Sequence, residues 1–333
     1  MKKLKNLFVA LAMCAPLMAA AQGIAINEEN FPDENFRNYL LEQSYGKDGV
    51  ITEEEIEGIT EIKIQKSVFA DWIDKVKNLK GIEYFTSLTS LSIPYNAVSN
   101  LDISRNQALV YLNCEGNAME SLDVSLNLAL ESLDVAANYL RSLDVSRHVA
   151  LRYLNCAQNE LQFLDVSQNV ALKTLYCDKN ELQSLDVSQN VALETLDCST
   201  NQLMSLNVSN NTVLRYLDCY RNQIAGEAMT SLVNSLPQNE TKSSLYIYHE
   251  EEDGNICTKA QVAVAKDKGW TPYYYDTTEK EWKEYEGCDE SASITLPKLK
   301  NGTAIIYTLH GQKVTSPVRG GIYILNGKKV VVR

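Results

Sequence analysis

Leu151-Arg152-Tyr153-Leu154-Asn155-Cys156-Ala157-Gln158-Asn159-Glu160-Leu161-Gln162-Phe163-Leu164-Asp165-Val166-Ser167 decides the fold, because the chain repeats it. Leu172-Lys173-Thr174-Leu175-Tyr176-Cys177-Asp178-Lys179-Asn180 and Leu185-Asp186-Val187-Ser188 are the same pattern 21 residues on. The Leu-Asp-(Val/Ile)-Ser string opens at Leu101, Leu122, Leu143, Leu164 and Leu185, and Leu206-Asn207-Val208-Ser209 follows without an insertion. An earlier, less regular copy runs from Leu88 to Asn96. A fixed period of this length marks a stacked repeat protein. Leu154 and Cys156, two apart, share one face of a short strand, while Tyr153, Asn155 and Ala157 share the other. One such strand cannot bury its apolar face, but strands stacked about 4.8 Å apart share a continuous core.

Asn117, Asn138, Asn159, Asn180, Asn201 and Asn222 recur where the chain leaves each strand. There a stacked amide can bond backbone groups of its own and neighbouring turns that would otherwise be buried and unpaired. The pattern Leu-x-x-Leu-x-Cys-x-x-Asn-x-Leu resembles the leucine-rich repeat family. That resemblance implies a right-handed solenoid with a parallel β-sheet on its concave face, here in about seven units over residues 81–226. A 21-residue unit leaves little room for convex helix.

Cys114, Cys156, Cys177, Cys198 and Cys219 share one position, which Val135 fills in the second unit. This is similar to the cysteine ladder of bacterial surface proteins of the internalin J-like type. Adjacent Cα atoms about 4.8 Å apart would lie inside the disulfide window of roughly 4.4–6.8 Å. Their Cβ bonds run parallel in register, however, so buried free thiols are expected; a disulfide-stapled spine is the alternative. A linear stack does not suit a tetrahedral metal. A bridge between Cys257 and Cys288, outside the repeats, stays open.

Residues 1–21 read as a signal peptide: a basic start, an apolar run from Leu7 to Met18 and Ala19-Ala20-Ala21 before a cleavage site. Export to the cell surface or medium is expected. The 333-residue chain carries 31 Lys and Arg against 43 Asp and Glu, a net charge of −12. Losing Lys2, Lys3 and Lys5 with the leader makes it more acidic still. Nucleic acid and direct membrane insertion are therefore poor expectations. With only three scattered histidines, and no Gly-x-Ser-x-Gly, Walker or His-Glu-x-x-His motif, neither catalysis nor a cofactor is expected.

Residues 22–80 read as a small α-helical N-terminal cap. Asp48-Gly49-Val50-Ile51-Thr52-Glu53-Glu54-Glu55 resembles the second half of an EF-hand, but Ser44 and Gly46 stand where two acidic ligands belong. Thr52 and Glu55 also fit a helix-capping box. The cap is thus expected to hold no metal, with calcium at Asp48 and Glu55 as the alternative. Residues 227–288 read as an α/β C-terminal cap, with helices over 227–236 and 258–268, strands over 245–248 and 272–275, and Trp270 and Trp282 in its core. Residues 291–333, with Gly321-Ile322-Tyr323 and an Asn326-Gly327 hairpin signal, read as a β-rich tail of short strands. This tail resembles the sorting domain of the Bacteroidota type IX secretion system, a resemblance that implies a small β-sandwich.

In the leucine-rich repeat family ligands usually meet the concave strand face. By that resemblance the binding positions here are Tyr111, Asn113, Tyr153, Asn155, Tyr176, Asp178, Asp197, Tyr216, Asp218 and Tyr220. Tyrosine gives large contact area at low entropic cost. Asp197 and Asp218 occupy equivalent positions one turn apart, where repulsion would raise one pKa unless solvent weakened it. The resulting expectation is a monomeric adhesin-like protein binding a protein partner, with a glycan-binding module or a structural spacer as alternatives.

Overall fold

The computed structural model describes residues 23–250 and 254–289, with four tail strands at 306–308, 313–314, 321–325 and 328–332. The residues expected to form a leader, the acidic run past Glu250, Asn326-Gly327 and the rest of the tail lie outside the described residues.

The chain opens with β1 (Ile24–Ala25), α1 (Glu34–Glu42), β2 (Val50–Ile51), α2 (Glu53–Gly58) and β3 (Glu61–Lys63). Seven near-identical strands follow: β4 (Ser90–Ser92), β5 (Tyr111–Asn113), β6 (Ser132–Asp134), β7 (Tyr153–Asn155), β8 (Thr174–Tyr176), β9 (Thr195–Asp197) and β10 (Tyr216–Asp218). The C-terminal cap adds α3 (Glu227–Ser235), β11 (Ser243–His249), α4 (Lys259–Asp267), β12 (Trp270–Asp276) and β13 (Glu281–Glu284). Strands β3 to β13 form one eleven-stranded sheet in sequence order, parallel except for the last pair. The fold is a leucine-rich repeat solenoid, as the repeat period predicts. Its first strand, β3, belongs to the sheet although it lies in the region read as helical cap.

Each coil buries a leucine at every turn, as at Leu151, Leu154, Leu161 and Leu164. A Leu→Ala change at such a site costs about 2–5 kcal/mol. The cysteines are buried free thiols, and Cys257 and Cys288 are likewise unbridged. Each ladder thiol leans on the next coil: Cys156 Sγ donates to Tyr176 O at 3.5 Å and Cys177 Sγ to Asp197 O at 3.4 Å. Desolvation pushes the Cys156 thiol up to about 12, so it stays protonated.

Two asparagine rows tie the coils together. At the strand exits, Asn180 Nδ2 donates to Cys156 O, Cys177 O and Asp178 O, while its Oδ1 accepts from Leu161 N at 3.0 Å. The residue before each of these asparagines is left-handed, from Tyr95 to Arg221. Only at Gly116 is it a glycine, where a Cβ would come within 2.4 Å of the Tyr95 ring. A second row, which the sequence reading passes over, holds the return turns: Asn106, Asn127, Asn169, Asn190 and Asn211, with His148 in the third place. Asn190 Nδ2 donates to Val166 O and Asn169 O, both at 2.9 Å.

The caps explain themselves locally. Asp33 Oδ1 caps α1 at Phe36 N, and its Oδ2 accepts from Lys77 N and Asn78 N. Thr52 and Glu55 form a reciprocal capping box at α2. Between Ile64 and Val76 the first coil takes twelve steps, where Ile93 to Val98 takes five; in both, the last residue's N–H meets a ladder asparagine. The additional residues form a finger whose Val68, Phe69, Trp72 and Ile73 are exposed, Phe69 at 94%.

The tail holds β14 (Ile306–Thr308), β15 (Lys313–Val314), β16 (Gly321–Leu325) and β17 (Lys328–Val332). Among the described residues these form one antiparallel sheet in the order β15-β14-β16-β17. The remainder of the tail expected to form a sandwich over 291–333 lies outside the described residues.

Candidate interaction surface

The parallel register sets one side chain of each strand in a row across the concave face. Asn113, Asp134, Asn155, Tyr176, Asp197, Asp218, Tyr246 and Tyr273 stand side by side on β5 to β12. Neighbours in such a row are about 4.8 Å apart. A second row, two residues before, holds Tyr111, Tyr153 and Tyr216; Asp178 and Tyr220 sit just past their strands. All ten sequence-predicted positions therefore share one face, but they do not form one site.

Toward the N-terminal end the side chains meet only in pairs, as where Asn113 Nδ2 donates to Tyr111 Oη at 3.4 Å. Tyr111 is 37% exposed, and Asn113 Oδ1 accepts from Glu115 N. Tyr95 Oη donates to Glu115 Oε1 at 2.5 Å, which raises the phenol to about 12. In the middle, Asp134 is buried but satisfied. It accepts from Ala136 N and Asn155 Nδ2 at 3.1 Å and from Tyr153 Oη at 3.4 Å.

The C-terminal end is continuous. Ring centroids run Tyr216–Tyr246 at 5.3 Å, Tyr246–Trp282 at 4.7 Å and Trp282–Tyr220 at 5.2 Å, an unbroken chain of aromatic contacts beside β10. Tyr273 stacks on Tyr246 at 5.1 Å, and His249 stacks between Tyr220 and Tyr275. Such pairs prefer these offset and edge-on geometries. Trp270 is core as expected, its Nε1 donating to Pro237 O, but Trp282 departs from the cap-core expectation. It is half-buried, lying edge-on against the concave tyrosines.

The carboxylates at this end also correct the sequence reading. An open face would let solvent weaken the repulsion between Asp197 and Asp218, yet Asp218 is only 5% exposed. Burial first, and then Asp197, push its pKa up to about 9. Burial and then Asp178 raise Asp197 to about 6. Burial likewise raises Asp178, although Lys179 at 3.8 Å opposes it. Beside Asp218 in the row stands Tyr246, from a strand outside the repeats, which a per-repeat reading does not see.

Tyr246, Tyr273 and Trp282 are absent from the sequence-predicted set because the consensus lapses after Asn222. The available signal was the alternation Leu245-Tyr246-Ile247, which pairs in register with Leu217-Asp218. The calcium alternative gains no support. Glu55 Oε2 is occupied by Thr52 N and Oγ1, Asp48 Oδ1 accepts from Val50 N, and no group of three potential metal ligands occurs among the described residues. A groove lined by Leu101, Asp102, Leu122, Asp123 and Leu126 lies on the return segments, away from the concave sheet. No helix among the described residues is long and apolar enough to cross a membrane.

No protein-family model matches the chain, and no curated protein sequence matches it. Among solved structures it is similar to the functional domain of InlJ from Listeria monocytogenes, which includes a cysteine ladder. The two are 26% identical over 71% of this chain and 61% of that one, with a TM-score of 0.41. A leucine-rich repeat protein from Leptospira interrogans is 23% identical, covering 58% of this chain and 55% of that one, at a TM-score of 0.45. Internalin C2 from Listeria monocytogenes is 18% identical over 76% of this chain and 98% of its own, at a TM-score of 0.49. The chain thus spans less than two thirds of the first two.

Proposed function

We propose that this chain is an exported, non-catalytic binding protein that grips a protein partner on the concave face of its solenoid. The supporting observation is the unbroken aromatic surface from Tyr216 through Tyr246 and Trp282 to Tyr220, held on a rigid sheet beside Asp178, Asp197 and Asp218. Rigid aromatic side chains backed by buried polar groups are what interface hot spots are made of. In this reading residues 1–21 direct export, 22–80 and 227–288 close the two ends of the repeats at 81–226, and 291–333 serve sorting at the outer membrane. The protein works as a monomer, without cofactor, metal, nucleic acid or insertion into a bilayer.

The test is to screen the full chain against arrays of extracellular matrix proteins and glycans, beside a variant carrying Tyr153→Ala, Tyr176→Ala and Tyr216→Ala. These rings lie outside the leucine core, so the variant should keep its circular dichroism spectrum. A protein ligand lost in the variant supports the reading. A glycan lost in the variant replaces protein by sugar. A ligand that both forms bind equally moves the site off this face.

A further inference from the structure

We propose that the Asp197–Asp218 pair and the rings around it form a pocket for an alkylammonium group, a lysine side chain of the partner. This deepens the concave-face reading and rests on it. The two carboxylates are register partners on β9 and β10, and Tyr176 and Tyr246 are the next residues of the same row on either side. Tyr216 and Tyr220 flank Asp218 along its own strand, and Trp282 joins Tyr246 to Tyr220. Asp218 is 5% exposed, and its Oδ1 is buried without a hydrogen-bond partner among the described residues. A buried acceptor left empty is costly and calls for a donor.

The chemistry of that donor follows from its surroundings. Two carboxylates on register neighbours of strands about 4.8 Å apart suit one small centre donating to both, at ordinary donor–acceptor distances near 2.8 Å. An ammonium has three such donors on one atom. Aromatic faces attract a cation, and they also pack along the methylenes of a lysine stem. A metal ion fits less well, because the remaining walls are rings rather than oxygen ligands.

Binding is coupled to a proton. The groups facing the pair are Asp178 and Lys179 beyond β8, Tyr176, Tyr216, Tyr220 and Tyr246, with His249 and Arg221 behind Tyr220. Without a cation, Asp218 holds its proton at neutral pH. An arriving ammonium favours the ionised form, so one proton leaves Asp218 for solvent. Affinity should therefore tighten nearly tenfold per pH unit above neutrality and level off near pH 9, before the lysine amine itself loses charge at about 10.4.

The probe is N-acetyl-lysine N-methylamide, titrated calorimetrically into the full chain at pH 7 and pH 9 in buffers of different ionisation enthalpy. The norleucine analogue, which keeps the alkyl chain without the charge, is the control. Expected are binding of the lysine probe only, release of close to one proton at pH 7, tighter binding at pH 9, and at least tenfold loss in Asp218→Asn. Asp218→Asn should fold, because it removes a buried acid. No binding at pH 9, equal binding of norleucine, or full retention in Asp218→Asn overturns the proposal. If the arrays give a concave-face partner whose binding ignores acetylation of its lysines, the ammonium pocket fails while the broader reading stands. If the lysine probe binds and no array partner appears, the reverse holds.

Discussion

The solenoid carries acidic positions on two opposite sides, and the two rows behave in opposite ways. On the return turns Asp102, Asp123, Asp144, Asp165 and Asp186 are exposed, and each accepts from the backbone N–H two residues on, as Asp186 does from Ser188 at 2.8 Å. Hydrogen bonds from that serine's backbone and side chain hold the Asp186 carboxyl below the usual range. On the concave side Asp197 and Asp218 are raised by burial first, and then by a neighbouring carboxylate, Asp178 for Asp197 and Asp197 for Asp218. The first row stabilises turns, and its carboxylates are better off ionised in the folded state. The second destabilises the fold wherever it is ionised, which is what a surface awaiting a cation should do.

The same substitution, Asp to Asn, separates the two rows. The largest effect is expected at Asp218. Its folded pKa, near 9, lies above the unfolded value of about 3.9, so it contributes nothing below pH 4 and an increasing penalty as pH rises from 4 to 9. Asp218→Asn should stabilise the protein by roughly 3 kcal/mol at pH 8 and by almost nothing at pH 4. Thermal melts at both pH values measure this; equal gains at both would mean that burial of charge is not the cause.

A smaller effect, of opposite sign, belongs to the return row. Asp186→Ala removes the acceptor for Ser188 N and should cost roughly 1 kcal/mol at pH 7. Because the folded pKa is lowered, the carboxylate's contribution is present above about pH 4 and lost as pH falls through the folded value. Asp186→Asn should stay within about 0.5 kcal/mol of the parent, since Asn207 already makes the same bond to Ser209 N at 2.9 Å in the next unit. A large loss in Asp186→Asn would show that charge, rather than turn geometry, matters in this row.

How far the sequence could be read follows the same division. The return turns, the leucine core and the strand-exit asparagines are legible because each coil meets the same neighbours, so one unit stands for all. Even there the second asparagine row goes unread, although Asn106, Asn127, Asn169, Asn190 and Asn211 keep the period; His148 at the third place breaks the string, yet it reaches Val124 O from the same position. The concave face is legible only as a list of outward positions. Whether Asp218 is exposed depends on Tyr246 and Trp282, which come from strands outside the repeat and meet it only across the sheet. The finger at 64–76 is similarly invisible to the period, because it interrupts the first coil before the regular units begin.

Asp134 gives the finest test, because it occupies the same row position as Asp218 but has both oxygens bonded, where Asp218 Oδ1 is left without a partner among the described residues. Asn155 Nδ2 and Tyr153 Oη both donate to its Oδ2. These bonds oppose the rise that burial causes. Replacing it by Asn turns an acceptor into an amide group that faces another amide, so Asp134→Asn should destabilise, by about 0.5 kcal/mol, where Asp218→Asn stabilises. The reason can be checked by exchange. Asn155 Oδ1 accepts from Ala157 N at 3.2 Å, a bond a carboxylate there can keep. The double variant Asp134→Asn with Asn155→Asp therefore restores one donor facing one acceptor, and its stability should return to that of the parent. A double-mutant cycle with no coupling between the two positions would mean that the Asn155 bond does not distinguish Asp134 from Asp218, and that the tyrosine walls alone set the difference.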